Sequence, residues 1–165
     1  MARVTTGSGK AKEAETIVQD QATRLQETMR LFSVKLFSLM NNVLSRGQLN
    51  LPQYNALSAV ALNAPLSMGG LTEDLCVSTA AATNVVDRLV QLKLVQRFRD
   101  SRDRRVVLVK PTAKGRRTVA QVQQDIGTIF VGLLQRLTPE QRQQFLEVYE
   151  QVTSLVWETS LEGTS

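Results

Sequence analysis

The chain has 165 residues, 42% of them apolar, and 20 Lys and Arg against 15 Asp and Glu give it a net charge of +5. That length suits one domain with a core of its own, and the apolar runs fall short of the roughly 18 residues a membrane-spanning helix needs. It has no histidine and one cysteine, which removes Ser-His-Asp and Cys-His catalysis, His-metal ligation, a structural zinc site and an internal disulfide.

No glycine-rich phosphate loop is present, and Glu73 and Asp74 are neighbours in sequence, so on a helix they splay apart rather than cooperate in acid-base work. The chain is therefore expected not to be an enzyme and to hold no metal or cofactor. Lacking a charged-then-apolar leader and a disulfide, it is expected to work in the cytoplasm and away from membranes.

Residues 1–14, MARVTTGSGKAKEA, are polar and contain Gly and Ser without an apolar period, which predicts a disordered tail. From Thr16 to Ser45 the residues Val18, Ala22, Leu25, Met29, Phe32, Leu36, Leu39 and Val43 alternate steps of four and three. That heptad seam predicts a long helix in need of a partner helix. Asn50-Leu51-Pro52-Gln53 opens a second helix through Leu62, closed by Asn63-Ala64-Pro65, with Leu51, Tyr54, Leu57, Val60 and Ala61 as its apolar set. Phe32, Phe37 and Tyr54 are candidates either for plain core or for the lining of an effector cavity between the first long helix and the segment that follows. Gly69 and Gly70 stand where the next helix should begin, which predicts a short or frayed one. Cys76 falls in the turn after it, as a small apolar residue or an oxidation-sensitive thiol.

Ser78 is suited to cap the next helix, and Ala82, Val85, Val86, Leu89 and Leu92 recur at helical spacing, so one face packs inward. The opposite face carries Thr79, Ala80, Ala81, Thr83, Asn84 and Arg88. Small residues at a helix N-terminus allow close approach to a base edge or phosphate, and Asn bonds adenine in bidentate fashion. The pattern then alternates: Leu94 to Arg99 reads as one strand and Val106 to Val109 as its partner. The loop between them, residues 100–105, is Asp-Ser-Arg-Asp-Arg-Arg, and its arginines suit a narrow, strongly negative minor groove. From Ser78 to Arg117 eleven Lys and Arg face three Asp, a local charge of +8 that leaves −3 for the rest of a chain whose total is +5. Positive charge confined to one segment is the footprint of phosphate contacts.

A helix from about Thr112 carries Val119, Val122, Ile126, Ile129, Leu133 and Leu137. Thr138-Pro139-Glu140-Gln141 begins another, with a Thr cap, Pro in the first turn and a Gln placed to close a capping box. Its apolar set is Phe145, Val148, Tyr149, Val152, Leu155 and Val156.

Over roughly residues 16–158 the chain resembles the MarR family of transcriptional regulators. The resemblance rests on Leu71-Thr72-Glu73-Asp74-Leu75 before Val77-Ser78, on Val86-Asp87-Arg88-Leu89 and Leu94-Val95-Gln96-Arg97, and on Asp103-Arg104-Arg105 and Pro111-Thr112-Ala113-Lys114-Gly115. It implies an obligate dimer on a pseudo-palindromic operator, responsive to a small phenolic molecule or an oxidant. Two positions depart from the pattern. Lys93 replaces a Gly expected at positive φ, a cost of about 1 kcal/mol, and Pro111-Thr112 replaces Leu-Thr.

The resulting expectation is a mainly α protein. Residues 49–117 form a winged helix-turn-helix with a two-stranded wing, and residues 15–48 and 118–160 form dimerisation helices. Thr83 and Asn84 would read bases beside Ser78, Thr79, Ala80, Ala81 and Arg88. Arg104 and Arg105 would enter the minor groove, Arg99 and Arg102 would meet phosphates, and Asp103 would pair with Arg97 or Arg105. The expected partners are a double-stranded DNA operator, a second copy of the chain and a small aromatic effector. The function is that of a ligand-responsive regulator, a repressor by family habit. The alternatives are a non-specific architectural DNA binder or a winged-helix protein-interaction module.

Overall fold

The computed structural model describes residues 6–162, with side chains from 12 to 156. A first helix, α1 (Thr6–Arg46), leads to α2 (Leu51–Leu62), a two-residue strand β1 (Leu66–Ser67), α3 (Met68–Leu75) and α4 (Thr79–Gln91). A hairpin of β2 (Val95–Arg99) and β3 (Val107–Pro111) follows, then α5 (Ala113–Leu134) and α6 (Pro139–Glu162). The helices begin where capping chemistry places them. Asn50 and Gln53 close a reciprocal box at α2, Thr138 and Gln141 close another before α6, and Ser67, Ser78 and Thr112 cap α3, α4 and α5. As the two glycines suggested, α3 is short, with 8 residues.

Two features differ from expectation. The antiparallel sheet has three strands in the order β1-β3-β2, because Leu66 and Ser67 pair with Val109 and Leu108 on the free edge of β3. Two residues lie below the length at which alternation is readable, so the extra strand left no mark in the sequence. The second difference is at the start of the chain, where residues 6–14 of the expected tail are helical and residues 1–5 lie outside the described residues. Lys10 to Glu15 are mostly strong helix formers, so α1 extends past the end of its apolar seam.

The core lies under the hairpin and the helix-turn-helix. It joins Val43, Leu44 and Leu49 to Ala56, Leu57 and Val60 of α2, Leu71 of α3, Val86 and Leu89 of α4, then Leu94, Val95, Val109, Val119 and Val122. Each of the Val and Leu side chains taken out of water contributes about 1.5–3 kcal/mol. Among the described residues of α1 upstream of Val43, none is buried, and none of α6 is. Their apolar residues stand open: Val18 is 63% exposed, Met29 58%, Val148 58% and Val152 51%. The head is thus a finished core, and the terminal helices carry apolar faces that it does not cover.

Candidate nucleic-acid interface

The turn between α3 and α4 is set by backbone geometry. Cys76 adopts a left-handed conformation, φ 51°, and the Cys76 and Val77 amides donate back to the Glu73 and Thr72 carbonyls at 3.2 Å, which ends α3. Ser78 then caps α4: its hydroxyl accepts from the Ala81 amide at 3.3 Å and its carbonyl from the Ala82 amide at 3.0 Å. Ala82, Val86 and Leu89 point into the core, which turns the opposite face outward. On that face Ser78, Thr79, Ala80, Asn84 and Arg88 are exposed, while Ala81 and Thr83 are half-buried. Arg88 donates to the Gln91 side chain at 3.2 Å.

The wing is built by its two aspartates. The Asp100 carboxylate accepts from the Arg102 amide at 2.7 Å, and the Asp103 carboxylate from the Arg105 amide at 2.9 Å. Across the base of the loop the Asp100 amide donates to the Val106 carbonyl at 3.0 Å. The Arg105 guanidinium closes on both Asp103 oxygens, at 3.1 and 3.2 Å, and holds that carboxyl below its ordinary value. Of the two partners expected for Asp103, the structure selects Arg105. Arg97 is instead engaged with the Asp87 carboxylate and donates to the Thr83 carbonyl at 3.2 Å. Among the described residues Arg99, Arg102 and Arg104 have no ion-pair partner, and all three are exposed. On the hairpin Lys110 lies 5.1 Å from the centre of the Phe98 ring.

Behind the reading face, α4 is joined to α5. Lys93 ends α4 at φ 60°, the positive value expected of that position, and Leu94 donates to the Leu89 carbonyl at 2.9 Å. The Thr112 amide and hydroxyl donate to the Leu94 and Lys93 carbonyls at 2.9 and 2.8 Å, and the Lys114 ammonium reaches the Leu92 carbonyl at 3.0 Å. A cation at the C-terminal carbonyls of α4 also complements its dipole.

The aromatic trio is not brought together. Phe32 lines a cleft of about 360 Å³ between α1 and α5, with Leu36, Leu39, Ile129 and Leu133 and the cationic Lys35 and Arg136. Phe37 and Tyr54 do not line it. Five residues of α-helix rotate Phe37 well away from Phe32, and Tyr54 packs half-buried against the core. Cys76 is exposed, its sulfur 3.6 Å from the Glu73 carbonyl.

The role of Arg97 was the main omission of sequence reasoning. Its signal was present: alternation along β2 places Arg97 on the same strand face as the buried Val95, hence toward α4 rather than toward solvent.

With this geometry in place, the sequence model of the MarR family matches residues 49–107, the segment from α2 to the start of β3. The chain carries a MarR-family winged helix-turn-helix domain. Around the MarR-family domain the likeness extends to the terminal helices. The reduced form of MarR from E. coli is 28% identical with a TM-score of 0.68, over 78% of this chain and 95% of that one. A MarR-family protein from Bacillus stearothermophilus is 20% identical with a TM-score of 0.76, over 84% and 96%. A mutant E. coli MarR complexed with operator DNA is 26% identical with a TM-score of 0.63, over 81% and 96%. No curated protein matches by sequence. The fold is that of the MarR-family transcription regulators, and among the described residues no helix is long and apolar enough to cross a membrane.

Proposed function

We propose that the chain is a sequence-specific DNA-binding regulator that acts as a homodimer on a pseudo-palindromic operator in the cytoplasm. The observation that carries this reading is the arrangement of two exposed surfaces side by side. The capped N-terminus of α4 presents Thr79, Ala80 and Asn84, and the wing beside it presents Arg99, Arg102 and Arg104, free of ion pairs among the described residues. The first surface suits a major groove and the second suits phosphates and the adjacent minor groove. Arg105, already engaged by Asp103, is a support of the wing more than its tip, so Arg104 is the residue proposed to enter the minor groove. The E. coli relative complexed with operator DNA supports DNA as the partner.

The dimer is supported by the open apolar faces of α1 and α6, since monomeric proteins rarely leave apolar surface of that extent to water. Two heads held by these helices would meet half-sites about 34 Å apart. Repression, with release by a small aromatic effector in the cleft beside Phe32, completes the proposal. Selection of duplexes from a random library at about 150 mM salt tests it, because non-specific phosphate binding is already weak there. An enriched inverted repeat is the expected result. Binding without enrichment points to an architectural role, and absence of binding points to a protein partner for the wing.

A further inference from the structure

Arg97 stands apart from the other wing arginines because it faces inward along the protein surface. It is rooted on β2, yet both of its partners, the Asp87 carboxylate and the Thr83 carbonyl, belong to α4. Those partners are one helical turn apart, and Asn84 of the reading face lies between them in sequence. β2 is paired with β3 from Val95↔Pro111 to Arg99↔Val107, so the hairpin moves as one body. At its lower end the hairpin is held by the buried pair Val95 and Pro111, and Val109, also buried, stands across from Arg97. Among the described residues, the Arg97 guanidinium is the side chain that joins hairpin to reading helix by hydrogen bond or ion pair.

The pair is a weak contributor to folding. With side chains 31% and 49% exposed, it belongs to the class of solvent-screened ion pairs that add little to stability. Its geometric effect is larger, because it fixes the angle between two surfaces that must meet one duplex together. Two linked contacts gain from each other only if the linkage holds them at the right span, and a hinge at the base of the wing lowers that effective concentration.

We propose that Arg97, through Asp87, is a positioning residue that locks the wing to the recognition helix, so that major and minor groove are read as a rigid unit. The proposal rests on the DNA-binding reading above. Its chemistry separates it from plain electrostatics. Asp87→Asn removes a negative charge beside the DNA-facing helix and leaves Arg97 as a free cation, so a protein that used only its charge would bind DNA more tightly. A protein that needs the lock loses affinity for its selected duplex, by roughly tenfold or more, while its binding to an unrelated duplex stays level or rises.

The experiment compares wild type, Asp87→Asn, Arg97→Gln and the exchanged pair Asp87→Arg with Arg97→Asp, on the selected and an unrelated duplex. In parallel, nitrogen-15 relaxation of the free proteins reads the mobility of amides 100–105 relative to α4. The expected result is unchanged melting, a more mobile wing and reduced discrimination in both single variants, with recovery in the exchanged pair. Tighter or unchanged binding of Asp87→Asn to the selected duplex, with a wing as rigid as wild type, overturns the lock. Should wild type itself fail to discriminate between duplexes, the DNA-binding reading falls, and the relaxation data still decide whether Arg97 holds the wing.

Discussion

At the scale of single residues, Gly115 is the most tightly confined glycine among the described residues. It lies in the first turn of α5, and a Cβ there would sit 2.1 Å from the Leu94 carbonyl oxygen, a backbone atom that cannot swing aside. Gly115→Ala must therefore separate α5 from the end of α4, and a loss of about 2–4 kcal/mol is expected in thermal or urea unfolding. Gly127, further along the same helix, has nothing within 4 Å of its Cβ position. Gly127→Ala should stabilise by about 0.5–1 kcal/mol; equal effects at the two sites would refute the close-approach explanation. The DNA-facing residues divide as sharply. Asn84, exposed on the reading face, is expected to cost about 1–3 kcal/mol as Asn84→Ala and to relax preference at one base pair, whereas Arg102→Ala should weaken all duplexes alike and lower the salt dependence by about one charge. Titration of both variants against single-base changes in the selected duplex checks this, and uniform losses from both would undo the division. These individual roles were readable only where chemistry is local. A capping Ser78 or Thr112 declares itself within three residues, but the partner of Arg97 lies ten residues away across a turn, and the clearance at Gly115 depends on a carbonyl twenty-one residues upstream.

At the scale of elements, the long helices and the hairpin were legible because period and caps agree. The expected start at Pro139 after a Thr138 cap is where α6 begins, and the alternation at 94–99 is β2 to within one residue. Helix ends were less legible. The positive φ that follows α1 falls on Gln48, one residue beyond Gly47. Register around a turn is decided by which amides reach back to the helix, and side-chain identity fixes it only loosely. The wing depends on charge as well as turn geometry. Asp103 accepts from Arg105 through backbone and guanidinium, and its carboxyl titrates below its ordinary value. A depressed folded value means that the ordering it supplies is complete above the ordinary carboxylate value and disappears as pH falls through the lowered one. An acid titration followed by carboxyl carbon shifts should place Asp103 below exposed aspartates, and Arg105→Gln should move it back toward them. An Asp103 midpoint at the ordinary value in the unmodified protein would show that the wing is not braced in this way.

At the scale of the whole molecule, the protein divides into a head that is complete by itself and helices that are not. Among the described residues Val43 is the last buried position along α1 toward its N-terminus, and Leu25, 59% exposed, lies five turns beyond it on the same seam. On α6, Val152 is 51% exposed on a face shared with Val148 and Tyr149. Neither residue supports the head, so substituting them leaves its core intact. In the proposed dimer both become interfacial, and two-fold symmetry counts each change twice. Leu25→Asp with Val152→Asp removes four apolar side chains from such an interface, each worth about 1.5–3 kcal/mol. That total is comparable to the roughly 8 kcal/mol that holds a micromolar complex together. The double variant is therefore expected to sediment as a monomer at micromolar concentration. It should keep the cooperative melting of the head and bind a full operator no better than a half-site. The charge of the wing and the chemistry of α4 are untouched, so non-specific binding at low salt should survive. A folded double variant that still sediments as a dimer would show that these faces meet something other than a second copy of the chain.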